Sequence, residues 1–167
     1  MARALVVSDT HTRPADVPQV IERLEPYLEG LDRILHAGDV VCRELLEALE
    51  HYAPVEAVAG NMDPPDVTAG LPERRLIDLA GKRIGLTHGW GASGDLARKV
   101  FERFTDKDGS PQVDAVVFGH SHQPLKEFRH GVLLLNPGSA TDRRSAPFCS
   151  LALLEAGRHL DAQIVRL

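Results

Sequence analysis

The sequence predicts an α/β fold in which two mixed β-sheets face each other and helices cover their outer sides. Its first half alternates short apolar runs with segments of helical spacing, the order that parallel strands joined by right-handed crossovers require. Its second half holds apolar runs separated by brief Gly-containing turns, the pattern of hairpins. Five polar clusters, Ser8-Asp9-Thr10-His11, Gly38-Asp39, Gly60-Asn61-Met62-Asp63, His88-Gly89 and Gly119-His120-Ser121-His122, each follow an apolar run. Carboxyl ends of strands are where open α/β sheets gather their ligands.

Ala4 to Val7 is the first expected strand, and residues 15 to 28 form a helix with Val17, Val20, Ile21, Leu24 and Leu28 on one face. Arg33 to His36 is a strand, Glu44 to Tyr52 a helix presenting Leu45, Leu46 and Leu49, and Val55 to Ala59 a third strand. After Pro64-Pro65 the pattern changes. Arg74 to Leu79 and Arg83 to Thr87 flank Ala80-Gly81-Lys82 and predict a hairpin. Leu96 to Phe104 is helical by spacing, Thr105 to Gln112 a polar surface loop, and Asp114 to Phe118 another strand. Leu125 to Arg129, Val132 to Leu135, Phe148 to Glu155 and His159 to Val165 complete the chain as an antiparallel meander.

Residues 1–167 are expected to form one domain, since a chain of this size buries roughly 70% of its unfolded surface. Cys42 and Cys149 stand far apart without CxxC spacing, which argues against a zinc knuckle or a disulfide framework. No apolar stretch approaches the ~18 residues of a membrane span, and the first residues are too short for a signal core, so a cytoplasmic location is expected. The formal net charge of −5 removes the general attraction on which binders of extended nucleic acid rely. A small phosphoester substrate stays open, because two dications reverse the local field. The oligomeric state, a homo-oligomer included, is left open as well.

The clusters contain seven side chains of metal-ligand type: Asp9, His11, Asp39, Asn61, His88, His120 and His122. Oxygen and imidazole donors in this number suit two divalent cations. In an extended segment residues i and i+2 share a side, which would let Asp9 and His11 reach one cation and His120 and His122 reach neighbouring ones. Asp39 has two oxygens with which to bridge a pair, while Asn61 and His88 add neutral donors. Two carboxylates against two dications leave about +2, a field suited to an anionic substrate and a bridging hydroxide.

In this order the clusters Asp-x-His, Gly-Asp, Gly-Asn-x-Asp, His-Gly and Gly-His-x-His resemble the calcineurin-like metallophosphoesterase superfamily, nearest to its small bacterial and archaeal phosphodiesterase branch. The likeness runs from Ser8 to Asn136-Pro137-Gly138-Ser139. It implies a metallophosphoesterase-type four-layer sandwich, one metal held by Asp9, His11, Asp39 and His122, and another by Asp39, Asn61, His88 and His120. It also implies hydrolysis of a small phosphodiester by attack of a metal-bridging hydroxide. Mn2+ is the expected activator, with Zn2+, Fe2+ or Ni2+ left open. A phosphomonoesterase acting on a nucleotide or phosphoprotein is the alternative within enzymes. A catalytically weak interaction scaffold of the same fold is the alternative outside them.

Two departures from that family pattern bear on mechanism. Met62 stands where relatives often carry a histidine that serves the leaving group or the phosphate, so Asp63 becomes the candidate acid beside Asp39 and Asn61. Trp90 replaces another frequent histidine and either stacks on a base or aryl group or simply packs. His36 is either a supporting residue or a satisfied strand histidine. His51, His130 and His159 are expected in solvent, Cys42 as a small buried residue, and Arg143 and Arg144 as solvent-facing. Arg98, Lys99, Glu102 and Arg103 read as the wet face of their helix.

Overall fold

The computed structural model describes residues 1–167, the Ser93 side chain excepted. Strand β1 (Ala2–Val7) leads through a 3-10 turn at Pro14–Asp16 to helix α1 (Val17–Leu24) and a second turn at Glu25–Tyr27. Then follow β2 (Arg33–His36), α2 (Arg43–Glu50), β3 (Val55–Ala57) and the one-turn α3 (Pro65–Thr68). The hairpin β4 (Arg74–Leu79) and β5 (Lys82–Thr87) precedes α4 (Leu96–Glu102) and β6 (Ala115–Val117). Strands β7 (Leu125–Arg129), β8 (Val132–Asn136), β9 (Ser150–Ala156) and β10 (Leu160–Arg166) close the chain.

The strands form two five-stranded mixed sheets, ordered β10-β9-β1-β2-β3 and β4-β5-β6-β8-β7. Alternation along each strand builds the layers. From β1, Ala4 and Val6 point between the sheets to meet Ile84, Leu86, Val117, Leu133 and Leu154, whereas Leu5 and Val7 point outward onto α1 and α2. The second sheet turns Val116 and Leu134 outward onto Leu96, Val100 and Phe101 of α4. Leu45 and Leu49 of α2 are fully buried, and each contributes roughly 1.5–3 kcal/mol by leaving water. The result is helix, sheet, sheet, helix, the α/β sandwich expected.

Three expectations change in detail. The helix expected over residues 15–28 is broken, because Pro26 has no N–H to give and its ring clashes with the carbonyl four residues back, so the α-helix stops at Leu24. The meander divides between the sheets. β7 pairs with β8 in one and β9 with β10 in the other, while β8 lies parallel to β6 and β9 antiparallel to β1. Strand β8 is paired with β6 on one edge and β7 on the other, which leaves no edge for a tight turn into β9. Residues 137–149 instead cross from one sheet to the other. The short α3 carries no apolar periodicity and was not expected.

Candidate metal centre

Strands β1, β2 and β3 run parallel, so their carboxyl ends open on one side of the first sheet. The loops that follow are zipped by backbone bonds: Asp9 N–H to Gly38 O (3.0 Å), His11 N–H to Asp39 O (2.9 Å) and Thr12 N–H to Val40 O (3.0 Å). In the second sheet Gly119 N–H reaches His88 O at 3.0 Å. His120 N–H joins the halves by donating to both Asp9 carboxylate oxygens at 3.0 and 3.1 Å. From the crossover, Ser139 Oγ–H donates to Asp9 O at 2.7 Å.

The site residues do not sit on extended backbone. Asp9, His11, Asp39, His120 and His122 all have φ between 43° and 71°, a left-handed region that costs non-glycine residues free energy and gathers at functional sites. The pairs Asp9/His11 and His120/His122 therefore converge through tight kinks, not through strand alternation as expected. Packing holds the kinks. A Cβ on Gly60 would fall 2.2 Å from Asp39 Oδ1, and one on Gly119 would fall 1.8 Å from Ser8 Oγ and 2.6 Å from Asp9 Oδ2. Both glycines let one loop press against the next.

Asp63, the candidate acid, has both carboxylate oxygens engaged by backbone N–H groups. Its Oδ2 accepts N–H from Gly60 (2.7 Å) and Asp39 (3.1 Å), and its Oδ1 accepts N–H from Val41 (2.7 Å). Both oxygens are spent on the loop that carries Asp39, where Asp39 and Val41 are left-handed. The carboxylate is a staple, and proton donation would require it to release that loop.

All seven expected donors come together. His11 Nε2 and His122 Nε2 are 3.2 Å apart, and His122 Nε2 is 3.5 Å from Asp9 Oδ1. Asp39 Oδ2 lies between the halves, 3.7 Å from His11 Nε2 and 3.3 Å from His88 Nε2. Asn61 Oδ1 is 3.1 Å from His88 Nε2 and 3.0 Å from His120 Nδ1. The far nitrogens of three rings face carbonyls, which only accept: His88 Nδ1 meets Ala37 O, His120 Nε2 meets Gly91 O, and His122 Nδ1 meets Asp142 O. In each neutral ring the proton is thereby placed outward and the lone pair inward. As the Asn61 amide is oriented, its oxygen and two imidazole lone pairs meet within about 3 Å, a convergence of acceptors that a cation resolves. The donor chemistry fits a divalent metal in both halves.

The electrostatics agree. Burial pushes the Asp9 carboxyl up to about 6, outweighing the His88 charge and the bonds from Ser8 and His120. Burial raises Asp39 too, but the His88 bond and charge and the Met62 N–H (2.7 Å) bring it below the ordinary carboxylate value. Burial pulls His88 down, yet Asp39 and Asp9 together raise it. His11 and His122 are lowered, chiefly by burial and further by Arg144. His36 lies fully buried beneath the centre, held neutral by desolvation with its value at about 3, and meets Thr10 Oγ1 at 3.0 Å.

Around this centre the remaining candidates separate. Met62 is exposed. Trp90 is 43% exposed, and Arg103, expected on a wet helix face, instead stacks its guanidinium 5.2 Å from the indole centroid and donates to Glu73 at 2.9 Å. The long side chain reaches from the end of α4 to the loop after β5, which helical spacing alone does not reveal. Arg143 donates to Ala146 O, and Arg144 pairs with Asp142 on the His11 side. Cys42 is buried, as expected, and His51 and His159 are exposed. His130 stacks on Phe101 at 5.7 Å. Sequence reasoning missed Asp142, whose carbonyl orients His122, and Ser8, whose hydroxyl donates to Asp9 Oδ2 at 2.7 Å.

Residues 3–158 match the family model of the calcineurin-like phosphoesterase superfamily domain. The chain belongs to that superfamily. A curated relative named probable metallophosphoesterase, from Methanothermobacter thermautotrophicus, is 34% identical over 96% of this chain and 90% of its own length. One of the same name from Methanocaldococcus jannaschii is 33% identical over 96% of this chain and 79% of its own. Among solved structures, wild-type Vps29 of Entamoeba histolytica complexed with Zn2+ superposes with a TM-score of 0.70 at 27% identity, covering 98% of both chains. Among the described residues no helix is long and apolar enough to cross a membrane.

Proposed function

We propose that this metallophosphoesterase is a two-metal phosphodiesterase acting on a small diester, with Mn2+ as the activating ion. Asp9, His11, Asp39 and His122 would hold one ion, and Asp39, Asn61, His88 and His120 the other. Such ions lower the pKa of water toward about 7 and stabilise charge on phosphoryl oxygens. The chain supplies the rest. Asp39 Oδ2 spans both halves, and the carbonyls of Ala37, Gly91 and Asp142 fix the rings that face inward. Met62 has no proton to give and Asp63 is held by its loop, so the departing oxygen takes its proton from solvent. Activated aryl esters should then turn over faster than alkyl ones.

The observation that carries the diester over the monoester is a pair of cavities, one adjoining each half of the donor set. One of about 490 Å³ adjoins Asn61 and His88, and one of about 270 Å³ adjoins Thr10 and His11. A phosphorus held between them has room for an ester group on each side. Rates on bis-aryl and mono-aryl phosphates with added Mn2+, Zn2+, Fe2+ or Ni2+ test the reading. Preference for the diester is expected, preference for the monoester would overturn that specificity, and no turnover on either would remove the enzyme. Likeness to Vps29 favours a second reading, a catalytically weak protein-interaction scaffold of the same fold. Retention of all seven donors weighs against it.

A further inference from the structure

The larger cavity has a composition that the phosphoryl chemistry does not use. Its inner end is Asn61 and His88 of the metal centre, and its outer end is Trp90, Arg103 and Glu73. Arg103 covers one region of the indole and donates to the largely exposed Glu73, and Trp90 is left 43% exposed. Glu73 and Arg103 are the formal charges lining the cavity, and they pair at 2.9 Å, so the outer end is close to neutral. An indole held on a cavity wall gives a flat, amphipathic stacking surface, and a paired guanidinium and carboxylate at its edge offer hydrogen bonds without net charge.

We propose that this cavity is the subsite for one arm of the substrate, and that the arm is an uncharged, planar heteroaromatic group of nucleoside type stacked on Trp90. The proposal rests on the phosphodiesterase reading for the word substrate, but not for the binding site itself. A second phosphate in the arm would meet Glu73 and an arginine already paired with it, since the free ammonium nearby, Lys99 beside Gly91, is not part of the cavity lining. A short alkyl arm would leave the indole wet and much of the 490 Å³ empty. Trp90 is thus a specificity-determining residue that lies beside the reacting centre and contributes nothing to bond breaking.

Trp90 is the sole tryptophan of the chain, so its fluorescence reports this site directly and without turnover. Adenosine, adenosine 5′-monophosphate and ribose 5-phosphate serve as probes of the full-length protein, with and without Zn2+. Adenosine and the monophosphate are expected to quench saturably, and ribose 5-phosphate to leave the emission unchanged. By calorimetry, Trp90→Ala should weaken adenosine binding about tenfold, with Trp90→Phe recovering part of the loss. Absence of quenching by adenosine, or equal binding of ribose 5-phosphate, overturns the subsite even where diesters are hydrolysed. Adenosine quenching in a protein that hydrolyses no phosphoester would instead leave the subsite standing and overturn the phosphodiesterase reading.

Discussion

The carboxylate of Asp63 accepts the backbone N–H of Val41 at 2.7 Å and so holds a β-branched residue at a φ of 75°. The same carboxylate holds Gly60 and Asp39, and Asp39 is the donor that spans both halves of the centre.

Asp63→Asn keeps the size but replaces one accepting oxygen by an amide that faces N–H groups. Stability should fall by about 1–3 kcal/mol, with weaker metal binding, measured by denaturation and metal titration. The dependence of rate on leaving-group pKa should not change. A steeper dependence in the variant would restore Asp63 as the acid.

Gly119→Ala forces a methyl group into Ser8 and Asp9, whereas a Cβ on Gly94 meets nothing within 4 Å. The first substitution is expected to cost about 1–3 kcal/mol or more and to reduce metal content, and Gly94→Ala to do neither. Paired thermal melts and elemental analysis check this.

Metal binding should weaken as pH falls through about 6, because the metal-free Asp9 carboxyl takes up its proton there. The raised His88 adds a second competing proton, while His11 and His122, lowered chiefly by burial, compete less. The sign for folding is opposite to the usual carboxylate. The folded metal-free chain holds the Asp9 proton more firmly than the unfolded one. Burial of the charged group therefore costs stability increasingly as pH rises from 3.8 to about 6, up to about 3 kcal/mol. Calorimetric titration between about pH 5 and about pH 8, repeated on Asp9→Asn, should remove most of the dependence near 6.

Added metal should stabilise the fold by about 2.7 kcal/mol at a hundredfold excess over the dissociation constant, and a chelator should reverse it. His122→Ala should abolish much of that gain, since its Nε2 faces both His11 and Asp9. A melting temperature indifferent to metal would contradict the assigned ligands.

The candidate donor set was legible because each of its side chains lies just beyond an apolar run, and strand ends are visible in a sequence. Less legible was how the donors meet. Asp9-Thr10-His11 carries nothing that announces left-handed backbone, which packing at Gly60 and Gly119 and the Asp63 staple impose. Pairing between distant segments was hidden too. The division of the last four strands depends on β8 having two partners, and Arg103 reaches Trp90 only because α4 packs on the outer face of the second sheet. The structural engagement of Asp63 was hidden as well, because its neighbourhood in sequence suggests chemistry, while its partners in space are three backbone N–H groups.

Residues 137–149 pass from β8 to β9, and on the way Ser139 and Thr141 bond the backbone of Asp9 and Thr10 while Asp142 orients His122. These bonds join positions about 130 residues apart in the one case and 20 in the other. Contacts of such span form slowly, since the loop entropy must be met before they stabilise anything. The centre therefore matures only when both sheets have docked, and uptake of a metal from an indicator during refolding should follow the slowest phase. Rapid uptake ahead of sheet docking would show that the crossover is dispensable for assembling it.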